Sequence, residues 1–186
     1  ASRISTSVPL LDHMMTALSR YSGIDIDLNA SGDLKHHTIE DVAIAAGEAF
    51  SRLLPVACAR YGTSTVPMDE ALVQVTVDTG GRPFYQGPLP SSLYDHWMRS
   101  FADNARATIH LRVLRGTDRH HIVEAAFKAL GLALRAAFAE SGAVLRTKGA
   151  VAMRGAPSAC PIGDGWWAWP WRAPAGATAG RPAASG

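Results

Sequence analysis

The chain has few of the features that mark secreted, membrane or nucleic-acid-binding proteins. Its two cysteines, Cys58 and Cys160, have no redox or zinc-type spacing, so both are interpreted as reduced thiols. No apolar run approaches the ~20 residues that a transmembrane helix needs, and no segment resembles a signal peptide. The formal charge of +2 is too small to indicate a nucleic acid or a membrane surface as partner. We therefore expect a cytoplasmic protein without nucleic-acid or membrane partners.

The overall amino-acid composition is that of a globular domain. Hydrophobic residues make up 47% of the 186 residues and charged residues 18%, and this length is enough to bury a sizeable core. After about residue 148 the composition changes to Gly, Ala, Pro and Arg with a tryptophan cluster and no helical or strand period. We predict a domain over residues 1–151 and a disordered tail over residues 152–186, with a Trp-rich docking segment as the alternative.

The most informative pattern is a histidine doublet followed by glutamate, HHxxE, which occurs twice at a separation of 84 residues, at His36 and at His120. Flanking residues repeat as well. The matching pairs are Gly32 with Gly116, Gly47 with Gly131, and, at a separation of 83, Asp12-His13-Met14 with Asp95-His96-Trp97. A repeat of this size indicates a duplicated subdomain, with halves at about residues 8–60 and 91–140.

The spacing of apolar residues predicts the same order of elements in both halves. Helices are predicted over residues 8–21, 38–59 with an interruption at Pro55, 92–105 and 121–140. Alternation of apolar and polar residues predicts strands over residues 24–28, 71–77 and 107–114. Each half therefore contains a helix, a strand, a turn and a long helix that starts near the doublet.

The doublets have the spacing of metal ligands. Histidine and glutamate at i and i+3 or i+4 lie on one face of a helix, whereas adjacent histidines point about 100° apart and suit two different metal centres. With His13 and His110 there are eight candidate ligands, enough for two sites of four. They are His13, His36, His37, Glu40, His110, His120, His121 and Glu124. Imidazole and carboxylate without thiolate fit Mn²⁺, Fe²⁺ or Zn²⁺ rather than Ca²⁺, and six-coordinate sites with open positions favour Mn²⁺.

Several motifs, in order, resemble those of the imidazoleglycerol-phosphate dehydratase family of histidine biosynthesis. The matching segments are LDHM at residues 11–14, GDL at 32–34, HHTIEDVAI at 36–44, VPMDEAL at 66–72, GRP at 81–83, HHIVEAAFKA at 120–129 and TKG at 147–149. The resemblance covers about residues 4–151. It implies an α+β fold of duplicated half-domains, each a small mixed sheet with helices packed on one face, as in the ribosomal protein S5 domain 2-like fold.

The resemblance also implies a reaction and an assembly. Members dehydrate imidazoleglycerol phosphate to imidazoleacetol phosphate through a metal-stabilised imidazolate, use two Mn²⁺ ions per active site, and form 24-subunit shells with sites between subunits. By position, the eight candidate ligands would bind metal, and Glu40 and Glu124 would also be catalytic. Arg60, Arg82, Lys128 and Lys148 would hold the substrate phosphate. His96 matches no ligand of the family and is interpreted as a relic of the duplication or a surface residue.

Alternatives to an active dehydratase stay open at this point. The family has a further strand before the position of Ala1, so we expect one sheet to lack a strand, and Arg146 stands where the family has a serine. A truncated or impaired homologue would bind metal and assemble without turnover. A non-catalytic metal-binding shell would assemble without affinity for imidazole phosphates, although the presence of Arg82 and Lys148 argues against it.

Overall fold

The computed structural model describes residues 1–55 and 57–141, which belong to one compact α+β unit. The elements, in chain order, are β1 (Arg3–Thr6), α1 (Pro9–Ser22), β2 (Asp27–Ala30), α2 (Lys35–Leu53), β3 (Tyr61–Met68), β4 (Ala71–Asp78), β5 (Phe84–Gln86), α3 (Ser92–Ala105), β6 (Thr108–Arg115) and α4 (Arg119–Phe138). Within these residues, no helix combines the length and the apolar character needed to cross a membrane.

The helix ends follow from local sequence signals. Helix α1 has Pro9 in its first turn and ends at Gly23, whose φ of 76° is in the left-handed region that glycine tolerates. Helix α2 ends at Leu53, before Pro55, which cannot continue a helix. The Asp118 side chain caps α4 by accepting hydrogen bonds from the backbone N–H groups of His120 and His121. Both doublets therefore lie in the first turn of a long helix.

Two sheets repeat the same parallel pairing. Strand β1 pairs parallel with β2, with Arg3 opposite Asp27, and β5 pairs parallel with β6, with Phe84 opposite Thr108. The second sheet is larger because the antiparallel hairpin of β3 and β4 adds to it, in the order β3-β4-β6-β5. The order β1-α1-β2-α2 thus corresponds to β5-α3-β6-α4, which confirms the predicted α+β duplication in the described residues.

The core lies where the helices pack on one another and on the second sheet. Helix α1 packs against α4, and α2 packs against α3, so both helix pairs join the first half to the second. Gly47 and Gly131 lie at these two crossings, where an added Cβ atom would come within 3 Å of the facing helix or its side chains. Alternate residues of β4 are buried and contact α4. The indole of Trp97 stacks on Phe101 and fills the centre, with ring centroids 5.1 Å apart.

Candidate metal centre

Three of the predicted ligands converge where α1 crosses α4. His13 Nε2 is 3.1 Å and His120 Nε2 is 3.3 Å from the same oxygen, Glu124 Oε2, and ligand atoms of the three residues lie within 4.8 Å of one another. The two imidazole rings stack at 5.9 Å with an angle of 9° between their planes. Both histidines are about half exposed, whereas the Glu124 side chain is only 8% exposed. The cluster therefore has a buried carboxylate at its base and two imidazoles at its rim.

The other oxygen of Glu124 is held by a lysine. Lys128 Nζ lies one helical turn further along α4, 2.8 Å from Glu124 Oε1, and it also contacts Met68 Sδ at 3.3 Å. The ring of Tyr21 lies 5.8 Å from the same ammonium group. Burial raises the pKa of Glu124, but the hydrogen bonds from Lys128 and His13 outweigh it and place that pKa below its usual range. The carboxylate is therefore ionised at neutral pH.

The repeat produces a second histidine–glutamate pair. His96 Nε2 lies 3.1 Å from Glu40 Oε1, where α3 packs against α2. His96 corresponds to His13 and Glu40 to Glu124, so the pair copies the first one across the duplication. The copy is not identical, because Glu40 is 39% exposed and Ile44 occupies the position that corresponds to Lys128. The two centres therefore differ in burial and charge.

His96 and His110 have different surroundings. The interpretation of His96 as a relic or a surface residue overlooked its contact with Glu40, although the match of Asp95-His96-Trp97 to Asp12-His13-Met14 was a signal for it. His110 lies exposed on β6 with its ring 5.6 Å from that of Phe84. Within residues 1–55 and 57–141, no hydrogen bond, ion pair or ring contact joins His110 to another predicted ligand.

The second histidine of each doublet contacts a carboxylate through Nδ1. His121 Nδ1 is 2.7 Å from Glu70 Oε2, and His37 Nδ1 is 3.1 Å from Asp33 Oδ1. The hydrogen bond with His121, together with backbone N–H groups, lowers the pKa of Glu70 to about 2, and Glu70 in turn raises the pKa of His121. Sequence reasoning assigned no role to Asp33 or Glu70, since both lie outside the HHxxE pattern. On the far side of the ring, His121 Nε2 lies 3.5 Å from Asp69 Oδ2.

The residues predicted to hold a phosphate differ in their contacts and exposure. Arg60 binds Asp78 through two hydrogen bonds of 2.7 and 2.9 Å, and its guanidinium lies 4.8 Å from the centre of the Tyr61 ring. Arg82 is exposed and lies close enough to lower the pKa of Asp78. Lys128 is engaged by Glu124. Lys148, Arg146 and the predicted tail over residues 152–186 lie outside the described residues.

Imidazole nitrogens and carboxylate oxygens that already converge are suitable donors for a divalent transition metal. The donor set of His13, His120 and Glu124 contains no thiolate, and two of its members reach solvent, as an ion with open coordination positions requires. The pair of His96 and Glu40 offers the same donor types at the second crossing. The residues present therefore fit a metal centre.

Comparison with known proteins shows similarity to one family. The family model described as imidazoleglycerol-phosphate dehydratase matches residues 6–134. The protein of that name from Pyrobaculum calidifontis is 45% identical over 163 residues, which cover 79% of this chain and 87% of the relative. The protein of that name from Clostridium botulinum strain Hall is 43% identical over 164 residues, which cover 78% of this chain and 84% of the relative.

A solved structure extends the similarity to the fold. The crystal structure of IGPD from Pyrococcus furiosus, in complex with (S)-C348, superposes with a TM-score of 0.74 at 42% sequence identity. The superposition covers 78% of this chain and 88% of that one. Because the family match spans more than half of the sequence and the relatives share over 40% identity across most of their length, this chain belongs to the imidazoleglycerol-phosphate dehydratase family.

Proposed function

We propose that this chain carries out the reaction of its family, the dehydration of imidazoleglycerol phosphate to imidazoleacetol phosphate in histidine biosynthesis. The observation that carries the proposal is the convergence of His13, His120 and Glu124, contributed by two of the segments that resemble the family motifs. In this cluster a largely buried glutamate lies between two half-exposed histidines and is paired with Lys128. Burying such a charge is costly unless it is paired.

The proposed cofactor is Mn²⁺, with two ions per active site. One ion would be held by His13, His120 and Glu124, and the other by Glu40 with His110 and the remaining doublet histidines. His110 stays in the proposed ligand set by its motif position, and His96 is added because it contacts Glu40 in the same way that His13 contacts Glu124. When bound, such ions supply Lewis acidity that stabilises negative charge on the imidazole ring of the substrate.

The two glutamates are proposed as the catalytic carboxylates, with different tasks. Dehydration requires that a proton leaves a carbon and that another reaches the departing hydroxyl, and carboxylates can perform both transfers. Glu124 is fixed through both oxygens, by Lys128 on one side and by two histidines on the other, so its task is to hold ligands in place. Glu40 is more exposed and therefore better placed to exchange a proton with substrate or water.

The phosphate of the substrate would be held by the basic residues assigned from the motifs. Arg60 and Arg82 both lie near Asp78, and Lys148 is assigned with them on the basis of its motif. Arginine suits this role because its planar guanidinium can donate two parallel hydrogen bonds to a phosphate. Lys128 is assigned to the phosphate as well, and its ammonium group also contacts Glu124 at 2.8 Å.

The proposal extends to assembly and location. We propose a homo-oligomer of 24 subunits in the cytoplasm, with a small phosphorylated substrate as the only further partner. The assembly is supported by the family resemblance. The location is supported by the two cysteines, which have no zinc or redox spacing.

A turnover assay with and without metal tests the proposed function. The chain is stripped with a chelator, and product formation from imidazoleglycerol phosphate is measured after addition of Mn²⁺, Zn²⁺ or Mg²⁺. We expect turnover to depend on Mn²⁺ and to be lost in Glu124→Gln but kept in Glu48→Gln, a matched change at an exposed glutamate of α2. Binding of metal and of substrate without turnover would favour an impaired homologue, and metal binding without affinity for imidazole phosphates would favour a shell protein.

A further inference from the structure

Glu70 lies at the turn between β3 and β4 and makes three hydrogen bonds with the start of α4. Its Oε1 accepts from the backbone N–H groups of Thr117 and Asp118, at 3.3 and 2.8 Å, and its Oε2 lies 2.7 Å from His121 Nδ1. A single side chain thus fixes both the backbone before the doublet and the orientation of the second imidazole of that doublet.

The contact with Glu70 decides which nitrogen of His121 carries the proton. Glu70 Oε1 already accepts from two backbone N–H groups and Oε2 faces His121 Nδ1, so this geometry favours His121 Nδ1 as the donor. In the neutral imidazole the proton then resides on Nδ1, and Nε2, which lies 3.5 Å from Asp69 Oδ2, carries the lone pair. A metal ion binds imidazole through such a lone pair, and a carboxylate on the opposite nitrogen is a common partner of metal-bound histidine.

In the first half, the second histidine of the doublet also contacts a carboxylate through Nδ1, but the carboxylate comes from a different position. His37 corresponds to His121 in the repeat, and its Nδ1 lies 3.1 Å from Asp33 Oδ1. Asp33 precedes His37 by four residues, whereas Glu70 precedes His121 by 51, so the two carboxylates do not correspond to each other in the duplication. Two unrelated positions therefore supply the same contact to equivalent imidazoles.

We propose that Glu70 and Asp33 are positioning residues that hold His121 and His37 with Nε2 directed to metal. This inference rests on the proposed metal-dependent function. It goes beyond that function by naming the residues that set the tautomer of the second histidine in each doublet. Glu70 has the stronger effect, because it also braces the backbone at Thr117 and Asp118, whereas the Asp33 side chain is largely exposed.

Substitution of Glu70 by glutamine separates the two tasks of this side chain. In Glu70→Gln the amide oxygen still accepts from Thr117 and Asp118, but the amide N–H₂ group then faces His121 and favours the opposite tautomer. We expect the affinity for Mn²⁺ to fall about 10–100-fold, as is usual when a partner of a metal-bound histidine is changed. The thermal midpoint of the metal-free protein should match that of the control Glu48→Gln, and Asp33→Asn should show a smaller loss of affinity.

The measurement is direct titration of the full metal-stripped chain with Mn²⁺, followed by thermal unfolding with and without the ion. Glu70→Ala serves as the comparison, because it removes both the backbone contacts and the contact with His121, and it should lower stability as well as affinity. If Glu70→Gln binds Mn²⁺ as tightly as the unmodified chain, Glu70 only braces the backbone and the inference is wrong. If the unmodified chain itself binds no Mn²⁺, the proposed metal centre fails first, and the titration distinguishes that outcome.

Discussion

At the scale of single residues, Lys128 has two possible tasks that can be separated by experiment. Its ammonium group contacts Glu124 at 2.8 Å, and both side chains are largely buried. In Lys128→Met the carboxylate would lose its cation, so we expect the metal-free protein to lose about 3–5 kcal/mol of stability, the usual cost of leaving half of a buried ion pair. Chemical denaturation at pH 7 measures this loss, with the exposed Arg52→Met as the control. A raised KM for the phosphate substrate with unchanged stability would instead support the phosphate role that the motif predicted.

A second residue-scale prediction concerns the pH dependence of stability. The hydrogen bonds from Arg60 hold the pKa of Asp78 below its ordinary value of 3.8, although burial opposes them. A carboxyl whose pKa is lower in the folded state stabilises that state above the unfolded pKa, and the contribution disappears as the pH falls through the folded value. We therefore expect Asp78→Asn to cost about 1–3 kcal/mol at pH 7, with a difference that shrinks below about pH 4. Denaturation at pH 7 and pH 3 measures the loss of stability in Asp78→Asn, with the exposed Asp103→Asn as the control. A loss of stability that is equal at the two pH values would contradict the prediction.

The comparison of His96 with His110 provides a third test. If His96 binds metal with Glu40, His96→Ala should lower the number of Mn²⁺ ions bound per chain, and His110→Ala should lower it if the motif assignment of His110 holds. Elemental analysis of both purified variants gives the answer. An unchanged metal content in His96→Ala would leave His96 as an ionic contact of the surface, and an unchanged content in His110→Ala would remove His110 from the ligand set.

These two histidines also show how much of the site could be predicted from sequence. The HHxxE spacing is local, so it identified His120 and Glu124, which lie on one face of α4. The repeat even placed His13 and His96 at equivalent positions. The pairing of His96 with Glu40, and of Glu70 with His121, depends on how separate elements pack, and no spacing within a helix contains that information.

At the scale of elements, the approach of β3 to α4 depends on the absence of a side chain. A Cβ atom at Gly62 would lie inside the contact distance of the Ala133 carbonyl oxygen. In Gly62→Ala the strand and the helix must separate, and we expect a loss of about 1–3 kcal/mol, as for other overpacked interiors. Thr65→Ala, on the exposed face of the same strand, is the control. Equal stability of the two variants in denaturant would show that β3 shifts without cost.

The elements that the sequence predicted well are the ones with a long repeat of apolar residues. Helix α3 was predicted with its observed ends, and α1 and α4 within two residues. Helix α2 begins three residues earlier than predicted, at Lys35, and ends before Pro55. Strands β1 and β5 were missed because four and three residues are too few to show a period. Strand β3 was missed because Gly62 and Pro67 are poor strand formers, although Pro67 is tolerated in a strand at the edge of its sheet.

At the scale of the whole molecule, assembly should respond to metal. If ions are shared between subunits, removal of Mn²⁺ by a chelator should convert a large particle into smaller oligomers, and addition of Mn²⁺ should reverse the change. Light scattering at one protein concentration follows the change in particle size. The Glu124→Gln variant is the control. A particle of constant size in both conditions would show that assembly does not depend on metal.

The crossing of the helix pairs between the two halves has a consequence for the ancestry of the chain. His13 belongs to the first half and Glu124 to the second, whereas His96 belongs to the second half and Glu40 to the first. Neither half contains both members of the His13–Glu124 pair or of the His96–Glu40 pair, so a half-length ancestor would have needed a second copy of itself to form them, and two such copies would have formed two identical pairs. After fusion of the two copies into one gene, a substitution could change one pair without changing the other. Lys128 beside Glu124 and Ile44 beside Glu40 are the differences that this freedom permits.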